Sequence, residues 1–241
     1  MPVEGRDERK QTNEIGMFAP LLDAIEIKGK LITADALLTQ RKLADYVVQR
    51  GGDYHFTAKG NQATLQDDIT LLFQDRKAPD FVQITPPDHG RIETRCIWCS
   101  EALNGYLDFP HIAQVFLIER EVVHKKSGKH SMEIAVGLTS QTPAQASPQQ
   151  VLQVNRGHWT IENSCHYVID WNFDEDRSRI RTGYGPENVT LLRRFAVGVL
   201  RLVGSVKTSI AEKMAKLNRN ARLVFNYLRM TKNSTRQAGC V

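Results

Sequence analysis

Between residues 30 and 74 the chain twice alternates a short apolar run with a longer amphipathic stretch, and this alternation constrains the fold more than any other feature. Lys30 to Ala34 is short and apolar, which predicts a strand. Residues 38–50 (LTQRKLADYVVQR) carry helical periodicity and stop at Gly51-Gly52, a natural helix terminus. Asp53 to Ala58 (DYHFTA) predicts a second strand, and Gly60 leads into a helix over roughly 62–74. Strand, helix, strand, helix is the pattern of a parallel sheet in an α/β fold. A further helix is expected over 12–25, where Ile15, Phe18, Leu21, Leu22 and Ile25 share one face, with Pro20 inside it.

The texture then changes. Pro79, Pro86 and Pro87 predict a linker, and residues 91–99, 112–123 and 131–139 read as strands separated by turn signals at Asn104-Gly105 and Ser127-Gly128. That predicts an antiparallel β meander inserted into the α/β body. Helix is expected again over 143–155 and 158–170, over 187–204, and in one or two basic segments reaching about 229. The expected organisation is therefore 1–78 sheet and helices, 79–142 inserted β subdomain, 143–229 C-terminal helices, and 230–241 a disordered tail.

At 41% hydrophobic the chain can bury a real core, yet no apolar run spans a bilayer. The start, MPVEGRDERKQ, has no signal-peptide core, so a cytoplasmic protein is expected. Cys96 and Cys99 form a lone C-x-x-C on a predicted strand; alternation points the two thiols to opposite faces, which favours buried thiols over zinc. Charge is divided unequally. Residues 177–241 carry fourteen Lys and Arg against Glu187 and Glu212, a net of +12, whereas residues 1–176 carry −7. A tail of one sign suggests a polyanionic partner.

Two acids stand out. Asp35 follows the apolar run Leu31-Ile32-Thr33-Ala34, the position where a buried strand presents a carboxylate at its tip, although an acid there also caps a following helix. Glu162 lies in a helical pattern with Trp159 and His166 about one turn to either side, and Arg177, Arg179 and Arg181 follow soon after. Carboxylates beside dense cationic groups suit metal-dependent phosphodiester chemistry, the acids holding a divalent ion and the arginines the phosphates.

TNEI, LITADAL, DYHFTAKGNQ, HGRIETR, HWTIENSCHYVIDWNFDEDRSRIR and ENVTLLRRFA follow one another in this order from about Thr12 to about Leu228. In these motifs and their intervals the chain closely resembles the DDE transposases of the H-repeat-associated group, the IS-As insertion sequences. The resemblance implies an RNase H-like fold with a β-rich insertion before its last catalytic helix. It also implies two divalent ions, Mg2+ or Mn2+, held by an Asp, Asp, Glu set, and DNA cleavage and strand transfer at the ends of a mobile element. Asp35 matches the second acid and Glu162 the third. The first belongs to an Asp-Gly-Lys ahead of TNEI and has no match here, Asp7 and Asp23 being no substitutes. Nor are Asp170, Asp174 or Asp176 expected to take its bridging place, since all lie on or just past the Glu162 helix. The chain is accordingly expected to be a C-terminal portion of a transposase, lacking the first strands of the core, inactive alone, and unstable along the strand that ends at Asp35. Its expected partners are insertion-sequence DNA and either a second copy or an intact transposase. The rival reading is a non-catalytic DNA-binding remnant that modulates an intact enzyme.

The other candidates are contacts to DNA. Lys59 and Asn61 sit between a strand and a helix, where backbone N–H groups can meet a phosphate, or where Asn61 simply caps the helix. His89, Arg91 and Arg95 fall on the first predicted strand of the insertion, Arg91, Glu93 and Arg95 on one face by alternation, and cross-strand ion pairs are the competing explanation. Arg156, His158, Arg193 and Arg194 join Arg177, Arg179 and Arg181 around the Glu162 helix, and there DNA is favoured. His166 either contacts a phosphate, orients Glu162, or is a surface histidine.

Overall fold

The structure is a computed structural model and describes residues 14–88, 90–161, 167–203, 205 and 208–229. The chain divides into two units, Met1–His158 and Trp159–Val241. In the first, α1 (Glu14–Asp23) precedes the expected alternation: β1 (Leu31–Ala34), a 3-10 turn at Ala36–Leu38, α2 (Arg41–Gln49), β2 (Asp53–Ala58) and α3 (Ala63–Leu72). Strands β1 and β2 are parallel, with Leu31 opposite Asp53 and Ala34 opposite Phe56. The stop between α2 and β2 has two physical causes. Gly51 takes a left-handed φ of +75°, and a Cβ on Gly52 would lie 3.0 Å from the Ile27 carbonyl.

Four more strands follow: β3 (Phe81–Asp88), β4 (Arg91–Ser100), β5 (Gln114–His124) and β6 (His130–Thr139). They form an antiparallel meander, and β6 pairs with β2, so a single six-stranded sheet runs in the order β1-β2-β6-β5-β4-β3. Where a linker is expected around Pro86 and Pro87 the chain forms a strand instead, with Pro79 just before it. Its prolines misled because β3 closes one end of the sheet, where Pro86 and Pro87 sit at a register shift between Thr85 and Asp88. An edge strand tolerates a residue without an N–H.

The alternation of β-strand side chains sorts the core into two layers. On one face Ala34, Tyr54, Phe56 and Ala58 pack with Ala44 and Val47 of α2 and Leu65 and Ile69 of α3. On the other, Ile97, Phe116 and Ile118 pack with Val151 and Leu152 of α4 (Pro148–Ile161). Gly137 makes room for this second layer, since a Cβ there would lie 2.4 Å from both the Phe116 ring and the Phe56 carbonyl. Cys96 packs with the first cluster and Cys99 with the second, so the C-x-x-C does straddle the sheet. Burial raises both thiols, Cys99 to about 12, which leaves them protonated and inert.

The helix break expected near 156 is absent, because α4 continues to Ile161. In the second unit a π-helical turn spans Val168–Asn172, followed by α5 (Gly185–Leu202), α6 (Ile210–Asn218) and α7 (Ala221–Tyr227). Ser209 and Glu212 form a reciprocal capping box on α6. Lys213, part of the basic tail, is buried and donates from Nζ to the Leu200 carbonyl at 2.8 Å, tying α6 to α5. The leader before residue 14 and the tail after residue 229, read from sequence as polar and disordered, lie outside the described residues. Among the described residues no helix is long and apolar enough to cross a membrane.

Candidate functional site

Parallel strands deliver their following loops to one end of a sheet, and in open α/β sheets that carboxyl end is where ligands bind. Here the loops after β1 and β2 carry Asp35 and Lys59, both exposed. Asp35 caps the 3-10 turn, accepting from the Leu38 N–H at 3.3 Å, so the capping alternative is realised without burying the carboxylate. The two loops are stapled together. Asn61 Nδ2 donates to the Ala36 carbonyl at 2.6 Å, Gln62 Nε2 donates to the Thr39 carbonyl at 2.9 Å, and the buried Thr39 hydroxyl donates to the Thr57 carbonyl at 2.5 Å. Asn61 is therefore a cross-loop tie rather than a helix cap.

Beside this loop pair, α4 reaches β1. His158 Nδ1 lies 3.1 Å from the Thr33 hydroxyl, two residues before Asp35. Register places His55 of β2 opposite Thr33. His55 is 3% exposed, stacks on Phe116 at 4.6 Å, and leaves Nε2 without a partner. Burial, and secondarily the neighbouring charge of His158, lowers its pKa to about 3, so His55 is neutral at ordinary pH. Sequence reading passed over Thr33, His55 and Phe116. Strand alternation alone could have placed the first two on a common face; the pairing of β2 with β6 and β5 was needed for the third.

The insertion arginines differ from one another. Arg91 is exposed at the start of β4. Arg95 is turned inward, 13% exposed, and donates from Nη2 to Glu93 Oε1 at 2.7 Å, while Arg120 of β5 grips the same carboxylate and reaches Glu133 at 2.9 Å. Burial alone would raise the Glu93 carboxyl, but the bonds and charges of Arg120 and Arg95 outweigh it and hold it below the usual carboxylate range. Arg95 is thus paired along its own strand, and the cross-strand ion pairs are those of Arg120 with Glu93 and Glu133. Arg156 donates from Nη1 to Gln83 Oε1 at 2.5 Å, bracing α4 against β3.

In the second unit Arg193 is largely covered, near Glu175 at 3.8 Å and the Asp174 carbonyl at 3.4 Å. Arg179, Arg181 and Arg194 are exposed, and Arg177 makes a surface pair with Asp174 at 3.5 Å. Glu162, His166 and His89 lie outside the described residues. Among the described residues no three His, Cys, Asp or Glu side chains are grouped to hold a metal ion.

The chain belongs to the family described as Transposase DDE domain, whose pattern it matches over residues 7–195. It is 28% identical over 229 residues to the "H repeat-associated putative transposase YhhI" of Escherichia coli, a match covering 91% of this chain and 59% of that protein. The same figures describe its similarity to the Escherichia coli "Putative protein YbfL". A shorter match, 35% identical over 104 residues, relates it to the "H repeat-associated putative transposase YbfD", covering 42% of this chain and 41% of that protein. The chain thus spans about 59% of the length of the first two curated relatives.

Proposed function

We propose that this chain carries the second and third acids of an RNase H-like transposase centre, Asp35 and Glu162, and binds the DNA of an insertion sequence. Family membership supports the class of reaction, cleavage and transfer of phosphodiester bonds in DNA transposition. The observation that carries the residue assignment is the exposed carboxylate of Asp35 at the tip of β1, on a loop fixed by the Asn61, Gln62 and Thr39 bonds; Glu162 is proposed from its place in the matched motif.

The donors suit a hard cation. Carboxylate oxygens are the ligands magnesium and manganese take, and the exposed Asp35 needs no desolvation to provide one. When bound, such ions activate the attacking oxygen and steady the leaving one. The protein's own contribution is positional: the Asn61, Gln62 and Thr39 bonds hold the Asp35 loop, and His158 holds the helix beside it. Lys59, Arg91, Arg177, Arg179, Arg181 and Arg194 supply the DNA surface, whereas Arg95, Arg193 and Lys213 serve the fold. Two acids of a three-acid set hold a metal ion weakly, so residues 1–241 by themselves are expected to bind metal weakly and to cut poorly.

Electron paramagnetic resonance of Mn2+ with the purified chain tests the assignment. Binding that weakens in both Asp35→Asn and Glu162→Gln is expected; affinity equal to wild type in both variants would sink it. A plasmid-nicking assay tests inactivity, and nicking that disappears in Asp35→Ala and Glu162→Ala would mean that another residue completes the set. Duplex affinity should fall steeply between low and moderate salt, and a flat salt response would remove the electrostatic reading of the basic surface.

A further inference from the structure

Tyr167 and Trp171 stand 55% and 65% exposed in the second unit. Their spacing of four places them on one side of the π-helical turn, while Val168 faces inward and is buried. The two rings are nearly parallel, 10° apart, with centroids 6.3 Å from each other. Arg177 joins the pair, its guanidinium 5.9 Å from the Trp171 centroid. Arg179 and Arg181 follow it, both exposed. A phenol and an indole therefore stack in parallel with a guanidinium over the indole, and this exposed cluster stands at the head of the +12 segment.

Neither charge nor ordinary surface composition accounts for that cluster. Phosphate contacts need arginines and no rings, and a Trp left in water forfeits the burial of the largest apolar side chain. A purely apolar partner would not gain from three arginines within five residues. Flat aromatic faces interleaved with cations are the combination that receives unpaired nucleobases, the rings taking the bases and the cations the backbone. In a duplex those base faces are hidden by stacking, so the cluster distinguishes single strands, frayed ends or extruded bases from intact double helix.

We infer that Tyr167, Trp171 and Arg177 form a stacking platform for unpaired DNA bases, with Arg179 and Arg181 holding the adjoining phosphates. The inference rests on the DNA reading above and sharpens it, from DNA in general to a preference for unpaired bases at this one surface.

The test uses the 241-residue chain and two fluorescein-labelled probes, a short oligothymidine and a duplex, read by anisotropy at one salt concentration. Trp171→Ala should weaken oligothymidine binding about ten-fold or more and duplex binding by less than about two-fold. Trp171→Phe, which keeps a ring, should restore most of the affinity, and oligothymidine should quench less of the remaining tryptophan emission in that variant than in wild type. Thermal melts of each variant separate a lost platform from a lost fold. No loss in Trp171→Ala, or an equal loss on both probes in a variant that melts like wild type, overturns the platform. So does a change of oligomeric state without a change in oligothymidine affinity, which would assign the rings to a protein interface. A chain that binds neither probe removes the DNA reading itself; one that binds duplex and ignores Trp171 removes only the platform.

Discussion

At the β1 end of the sheet the charged groups stand in solvent, whereas at the β3 end they are turned onto one another. Asp35 and Lys59 project from loops held by neutral amide and hydroxyl bonds, from Asn61, Gln62 and Thr39. In the meander, Glu93, Arg120 and Glu133 bond across neighbouring strands, Arg95 bonds Glu93 along its own strand, and the carboxyl of Glu93 is held down by two guanidiniums. Strand direction is the physical reason. Parallel strands bring successive loops to the same end, which collects unpaired groups there; antiparallel strands bring side chains directly opposite each other, where opposite charges pair. The same residue type thus means different things at the two ends. A basic side chain beside the parallel strands is a ligand candidate, and one within the meander is first a cross-strand partner.

Substitutions at the two ends should separate along that line. The largest effect belongs to neither set of charges but to the shared second layer: Phe116→Ala, at a fully buried ring, should cost about 3–5 kcal/mol in a urea titration. A small loss would mean that α4 and the sheet are less tightly joined than the packing implies. Arg95→Leu should cost about 1–3 kcal/mol through lost bonds to Glu93 while changing DNA affinity little. If it weakened DNA binding and spared stability, the contrast between the two ends would collapse.

His55 provides a pH test. Its folded pKa of about 3 lies below the ordinary 6.5, so the unfolded chain binds the extra proton between those values. The stability that neutral His55 contributes is complete above pH 6.5 and is lost on acidification toward 3, with a slope of at most about 1.4 kcal/mol per pH unit. Melts from neutral to mildly acid pH should show that slope, and His55→Asn, which does not titrate, should flatten it; an unchanged slope would assign the acid sensitivity elsewhere. Smallest in stability should be Asp35→Ala, about 0.5–1 kcal/mol for the lost cap, even though Mn2+ binding is expected to suffer most from it. A large stability loss there would make Asp35 a structural acid.

Local pattern carried much of this protein. The βαβα order, the glycine stop at Gly51-Gly52, three of the four meander strands and the opposed thiols of Cys96 and Cys99 all follow from periodicity and turn chemistry, which act within a few residues. The motifs around Asp35 and Glu162 carried the family. What lay beyond reach depended on pairing between distant segments. Pro86 and Pro87 argue against a strand until β3 is known to be an edge. Nothing local says that β6 lies against β2, and so nothing local places Phe116 under His55 or explains why Gly137 has no side chain. The difference between Arg91 and Arg95, both basic residues of one strand, appears only when β5 brings Arg120 to Glu93. Tyr167, Trp171 and Arg177 likewise become a cluster only once the chain turns. Short-range propensity sets which elements form; register and packing, which join residues tens of positions apart, decide which of their side chains are left facing water.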